Sequence, residues 1–201
     1  MRKHQMPVPS FLVAMPHLND PCFKRSVVLL VEHSPEGALG FIVNRMGNVA
    51  LAEILEFEGH EIPVELKAWF GGPVDPGSGV ILAHSRDADT KIADGVCLAT
   101  SDIILSDLIE TSRMSGGLAH DTILNQYSRR QVLYPYRFLV GYSGWGAKQL
   151  DEEIRLGSWI QLDLDHELLF DVPKEQMWDA AMQRLGIHAS SLSVTSQPYL
   201  N

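Results

Sequence analysis

The amino-acid sequence predicts one compact α+β domain, and three observations carry that prediction. Apolar runs rich in β-branched residues come early and in pairs that short turns can close: Ser26-Val27-Val28-Leu29-Leu30-Val31-Glu32 and Ala38-Leu39-Gly40-Phe41-Ile42-Val43-Asn44 flank the turn Ser34-Pro35-Glu36-Gly37. Helical periodicity is interspersed later, with no regular strand–helix alternation and no internal repeat, which disfavours a doubly wound parallel sheet. A length of 201 residues suits a single domain with a full core.

In chain order, residues 1–9 are polar and carry Pro7 and Pro9, the pattern of a mobile arm before a domain over 10–190. Phe11-Leu12-Val13-Ala14-Met15 is a first strand stopped by Pro16, and His17-Leu18-Asn19-Asp20-Pro21 is a turn. The hairpin described above follows. Asn48 is placed to cap a helix through Leu51, Ile54, Leu55 and Phe57 that Gly59 ends. Trp69-Phe70-Gly71-Gly72-Pro73-Val74 reads as a strand entering a glycine turn, Val80-Ile81-Leu82-Ala83-His84 as a strand, and 87–94 as a polar loop. Gly95-Val96-Cys97-Leu98-Ala99-Thr100 is a further strand, after which Ser101 can cap a helix with Ile104, Leu105, Leu108 and Ile109. Residues 113–134 read as a short helix or an insertion.

A strand over 136–142 then enters Gly141-Tyr142-Ser143-Gly144-Trp145-Gly146, read as a sharp corner into a helix with Leu150, Ile154 and Leu156. Ser158-Trp159-Ile160-Gln161-Leu162 is a late strand, and Asp165-His166-Glu167-Leu168-Leu169-Phe170 a helical turn. Pro173 opens a last helix carrying Trp178, Ala181, Met182 and Leu185, with Gly186 as its stop. Residues 191–201 form a polar, loose tail.

The formal net charge is −9 and the sequence pI about 5.3, which opposes a broad grip on nucleic acid. Lys24-Arg25 and Arg129-Arg130 are the compact basic pairs, and no helix-turn-helix is legible. The absence of a signal-like leader or a bilayer-length apolar run leads us to expect a cytoplasmic protein with Cys22 and Cys97 as thiols.

Candidate chemistry is sparse. Gly71-Gly72-Pro73-Val74 could present backbone N–H groups to an anion, although no phosphate-loop lysine accompanies it. Ser143 sits between strand and helix, but its spacing does not satisfy G-x-S-x-G, so a catalytic serine is not expected. Arg25 and Asn44 should meet at one hairpin end with Asp20 nearby, Arg25 and Asp20 forming an ion pair and one wall of any pocket. His17, His33 and His84 have no metal-ligand spacing, and neither metal nor cofactor is expected. Cys22, beside Lys24-Arg25, is either a redox-sensitive thiol or a small packing residue. The ligand-binding candidates are thus Asp20, Arg25, Asn44, Gly71, Gly72, Tyr142 and Gly144.

The blocks Ala14-Met15-Pro16, Asp20-Pro21, Phe23, Arg25-Ser26-Val27-Val28, Glu32-His33 and Gly40-Phe41-Ile42-Val43-Asn44-Arg45 resemble the opening of the AlgH/YqgE family. The resemblance continues through Gly71-Gly72-Pro73-Val74, Gly141-Tyr142-Ser143-Gly144-Trp145, Gln149-Leu150, Glu152-Glu153-Ile154, Leu169-Phe170, Trp178, Ala181 and Leu185-Gly186, over roughly residues 10–190. It implies a bifurcated, mostly antiparallel sheet folded into a pseudo-barrel with flanking helices. It also implies a family named after a proposed bacterial transcriptional regulator, with no catalytic set to carry over. The segment 113–134 is longer than the family pattern. The expectation is a non-catalytic regulator acting through a protein partner or small ligand rather than direct DNA contact. The alternative is a ligand-binding protein or enzyme that uses the glycine-rich turns with Asp20, Arg25 and Asn44.

Overall fold

The computed structural model describes residues 6–54, 62, 66–84, 91–99 and 136–187. Its strands are β1 (Ser10–Ala14), β2 (Val27–Ser34), β3 (Gly37–Ile42), β4 (Met46–Ala50), β5 (Lys67–Phe70), β6 (Val74–His84), β7 (Lys91–Ala93), β8 (Val96–Ala99), β9 (Tyr136–Gly146) and β10 (Trp159–Asp163). Helices α1 (Gln149–Arg155) and α2 (Lys174–Arg184), a 3-10 turn at Leu51–Glu53 and a π turn at Glu167–Asp171 accompany them. Together they make a single α+β domain around one curled sheet in the order β10, β1, β2, β3, β9, β6, β8, β7, with β4 and β5 branching off at β9. All pairings are antiparallel except β5 with β9.

The branch point is the long strand β9. Its first half pairs with β6 along one edge and with β5 along the other, through Trp69 opposite Leu139 and Phe70 opposite Val140. Its second half pairs with β3, from Gly40 opposite Ser143 to Gly37 opposite Gly146. The sheet forks where β5 ends and β3 takes over.

Sequence pattern explains the packing. Phe11, Val13, Val27 and Leu29 enter a cluster with Trp69, Leu82, Leu139, Met177 and Trp178. Their alternating neighbours Leu12, Ala14, Val28 and Leu30 enter another with Trp145, Leu150 and Trp159. Both faces of β1 and β2 are therefore buried, so these strands read as continuous apolar runs instead of alternating. A third cluster joins Ile81, Ala83, Cys97 and Phe138 to Leu51 and Leu66. α2 lays Met177, Trp178, Ala181 and Met182 on the first cluster and stops at Gly186, at φ +73°.

Four expectations change. Asn48 caps no helix: it lies within β4, whose pairing with β5 sets Met46 opposite Trp69 and Ala50 opposite Lys67, and local capping propensity yields to that tertiary pairing. The stretch 141–146 is not a corner but the second half of β9, and the chain turns only at Ala147 and Lys148. Val74 belongs to β6 and not to the strand before it, which ends at Phe70. Part of the expected polar loop is the short strand β7, held by β8. Residues 1–5, 55–61, 101–135 and 188–201, with the helices expected through Leu55 and Phe57 and over 104–109, the segment 113–134 and the tail, lie outside the described residues.

Candidate functional site

The two glycine motifs meet each other. At the fork, Gly71 donates its N–H to the Val140 carbonyl (2.8 Å), and Ile42 donates to the Gly71 carbonyl (2.7 Å). A Cβ on Gly71 would lie 2.3 Å from the Gly141 oxygen, and one on Gly141 would lie 2.5 Å from the Gly72 oxygen. A Cβ on Gly72 would meet the Tyr142 carbonyl at 2.2 Å. Two backbones cross here with no room for a side chain on either. Ser143 is buried, and its hydroxyl donates to the Gly71 carbonyl at 3.2 Å. Gly144 sits against the Tyr142 ring, where a Cβ would lie 3.2 Å from Cε2. Gly71, Gly72, Tyr142 and Gly144 are thus brought together, with Tyr142 partly buried on the core.

Downstream of the crossing, the motif closes on one carboxylate. Trp145 and Trp159 both donate their indole N–H to Glu153 Oε2, at 3.0 and 2.8 Å. Gln149 donates to Glu153 Oε1 at 2.9 Å, and its own Oε1 accepts the Gly146 N–H at 3.0 Å. The two indoles stand edge-to-face with centroids 5.9 Å apart, and Phe23 packs on both. The spacing Trp145, Gln149, Glu153 places these groups on the β9–α1 connection so that strand, helix and β10 share one anchor.

Asp20, Arg25 and Asn44 lie at the opposite end of the β2–β3 hairpin from its turn, as expected, but Arg25 does not pair with Asp20. Asp20 Oδ1 accepts the N–H groups of Cys22 and Phe23 at 2.8 and 3.1 Å. Arg25, at φ +56°, reaches instead to Asp179 on α2 (2.7 Å) and lays its guanidinium 4.2 Å above the Trp178 ring. Residues so far apart in the chain left no local signal of that pair. Asn44 donates to the Arg25 carbonyl (3.0 Å) and accepts the Val27 N–H (2.9 Å). Arg45 donates to the carbonyls of Pro21 (3.0 Å) and Lys24 (2.5 Å). Burial lowers the Arg45 guanidinium from its ordinary value, against the opposing pull of Cys22 and Asp20, and the group stays charged at physiological pH. Asn44-Arg45 is a clamp on the 20–25 loop.

The histidines separate by role. Buried His33 accepts the Met6 N–H at Nδ1 (3.0 Å) and sets Nε2 3.1 Å from Asp151, fixing the end of the arm against α1. His84, at the end of β6, faces His166, just before the π turn, with ring centroids 5.8 Å apart. Phe170 stacks on His84 at 5.5 Å and 19°. With Lys91, Asp94 and Gly95, the His84 and His166 rings line a cleft of about 480 Å³. Gly95 adopts φ +69°, and a Cβ there would lie 2.8 Å from His84 Nε2 and 3.0 Å from His166 Cε1. His84 was legible as an edge histidine; its partner lies too far along the chain for any spacing rule. Among the described residues no three metal-ligating side chains gather, and no helix is long and apolar enough to cross a membrane.

A family model described as AlgH-like matches residues 11–190. A UPF0301 protein of Anaeromyxobacter sp. (strain Fw109-5) is 35% identical, with 92% of this chain aligned to 92% of the relative. A UPF0301 protein of Vibrio cholerae is 32% identical, over 91% of this chain and 94% of its own. The solution structure of the AlgH protein from Pseudomonas aeruginosa matches with a TM-score of 0.66 at 30% identity, covering 98% of this chain and 99% of that one.

Proposed function

The chain belongs to the AlgH-like family, and from that premise we propose that it is a cytoplasmic regulatory protein that acts by binding a protein partner and not by catalysis. One observation carries this reading: several polar side chains in the blocks that mark the family are committed to other groups of the fold. Ser143 is spent on the Gly71 carbonyl, Glu153 on two indoles and an amide, and Asn44 and Arg45 on main-chain groups. A nucleophile needs a hydroxyl or thiol within reach of a base, and a general acid needs a carboxyl free to exchange its proton. These groups hold backbone and neighbouring side chains. The charge of −9 supports a protein partner over direct DNA contact.

The test recombines the purified chain with candidate partners captured from the native cell. We expect one of them to form a stoichiometric complex by light scattering, and promoter DNA to remain unshifted at physiological salt. A tight, sequence-specific DNA shift, or turnover of a substrate, overturns the reading.

A second reading places a small ligand or substrate on Asp20, Arg25 and Asn44 with Gly71, Gly72, Tyr142 and Gly144. Its favouring observation is that the Arg25 side chain keeps 52% of its surface exposed beside Trp178. Thermal shifts against nucleotides, phosphates and sugar acids separate the two, since a ligand of the native state raises its melting temperature. A hit abolished by R25A selects the ligand; a silent panel leaves the partner.

A further inference from the structure

We propose that the cleft between the β7–β8 turn and the segment preceding the π turn is an oxyanion site, taking the phosphate or carboxylate group of a small ligand. This stands apart from the regulatory reading and needs no partner. Three nitrogen-bearing side chains converge there from three separate segments: His84 from β6, Lys91 from β7 and His166 from before the π turn. In a chain of net charge −9 such a gathering runs against the general field. The rings are held in place. Phe170 fixes the plane of His84, and His166 meets that ring at 67°. Gly95 supplies the missing wall: any other residue would push its Cβ against the edges of both imidazoles, so the glycine leaves those edges open to the cleft.

The charge balance favours an anion. Among the described residues Asp94 is the one carboxylate lining the cleft, it pairs with Lys91, and its side chain is 97% exposed, so water screens it strongly. The neighbouring carboxylates are engaged elsewhere, Asp165 and Glu167 both with Arg184. Lys91 offers a charge, and the imidazoles offer N–H donors. An oxyanion accepts from all three.

The test needs no variant at first. The imidazole resonances of His84 and His166 are followed by NMR during titration with inorganic phosphate, and separately with acetate. We expect saturable shifts at these two rings. Saturation by phosphate alone assigns a phosphate group, and saturation by acetate alone a carboxylate. K91Q, on an exposed side chain that leaves the fold intact, weakens binding about fivefold, and D94N tightens it by a similar factor. Shifts that stay linear in both anions overturn the proposal, as does a saturable response to zinc with none to anions, or K91Q binding as the parent does.

Discussion

Glu153 shows how much of the recurrent sequence is a local bonding requirement. Its Oε2 takes both indole N–H groups and its Oε1 the Gln149 amide, while Gln149 spends its own oxygen on Gly146. Glutamine in its place has one acceptor oxygen for three donors. If that oxygen faces the indoles, the new NH2 group confronts the Gln149 amide; reversed, two nearly buried indoles lose their acceptor. E153Q is therefore expected to cost about 2 kcal/mol, within the range for losing hydrogen bonds to a charged group. Urea denaturation followed by tryptophan fluorescence checks this. Asn44 has the same character, since both ends of its amide bind main chain at 2.9 and 3.0 Å. N44A leaves the Val27 N–H and the Arg25 carbonyl without their partner, and a loss of about 1–3 kcal/mol is expected in the same assay. Both residues stood out in the sequence. Their work did not, because a conspicuous polar residue looks the same whether it faces a ligand or a carbonyl.

At the scale of elements, the decisive feature is the fork in β9. Gly141 sits at φ +67°, and a Cβ would press on the Gly72 and Val74 oxygens at 2.5 and 2.9 Å. Gly157, at φ +79° after α1, has nothing within 4 Å. G157A therefore meets only the left-handed penalty, roughly 1 kcal/mol, whereas G141A adds displacement of a backbone crossing and should cost about 3 kcal/mol or more. The difference in urea midpoints between the two variants isolates the crossing; equal losses would mean that the crossing relaxes freely. Strand positions along β1, β2, β3, β8 and β10 were readable because period, turn residues and β-branching agree there. The continuation of β9 through three glycines was not. A strand persists where partners flank it, and β3, β5 and β6 are distant in sequence. The same reasoning separates the legible from the hidden parts of the candidate site. Arg25 and Asn44 share a hairpin end that pairing dictates, whereas Arg25 with Asp179, and His84 with His166, meet only after the sheet curls.

For the whole molecule, α2 and the turn before it act as the closure of the curled sheet. Trp178 donates its indole N–H to the Ala14 carbonyl at 2.7 Å, Asp179 holds Arg25, and Arg184 reaches back to Asp165 and Glu167. Asp165 is the hinge of this closure. Burial pushes its carboxyl up, but the Leu168 N–H, the Arg184 guanidinium and the Glu167 N–H outweigh burial and hold it below the usual carboxylate range. A depressed folded value means that the ionised form stabilises the native state. That contribution is complete above the unfolded value of about 4 and is lost as pH falls through the lower folded value. D165N keeps an oxygen for Leu168 and loses the charge facing Arg184, so at pH 7 it should be less stable by about 1 kcal/mol. The gap between parent and variant should stay constant from pH 8 down to about pH 5 and narrow below about pH 4. Denaturant midpoints across that range measure it. A gap that persists unchanged into acid would show that the loss does not come from the charge facing Arg184, and that this charge pair does not close the fold.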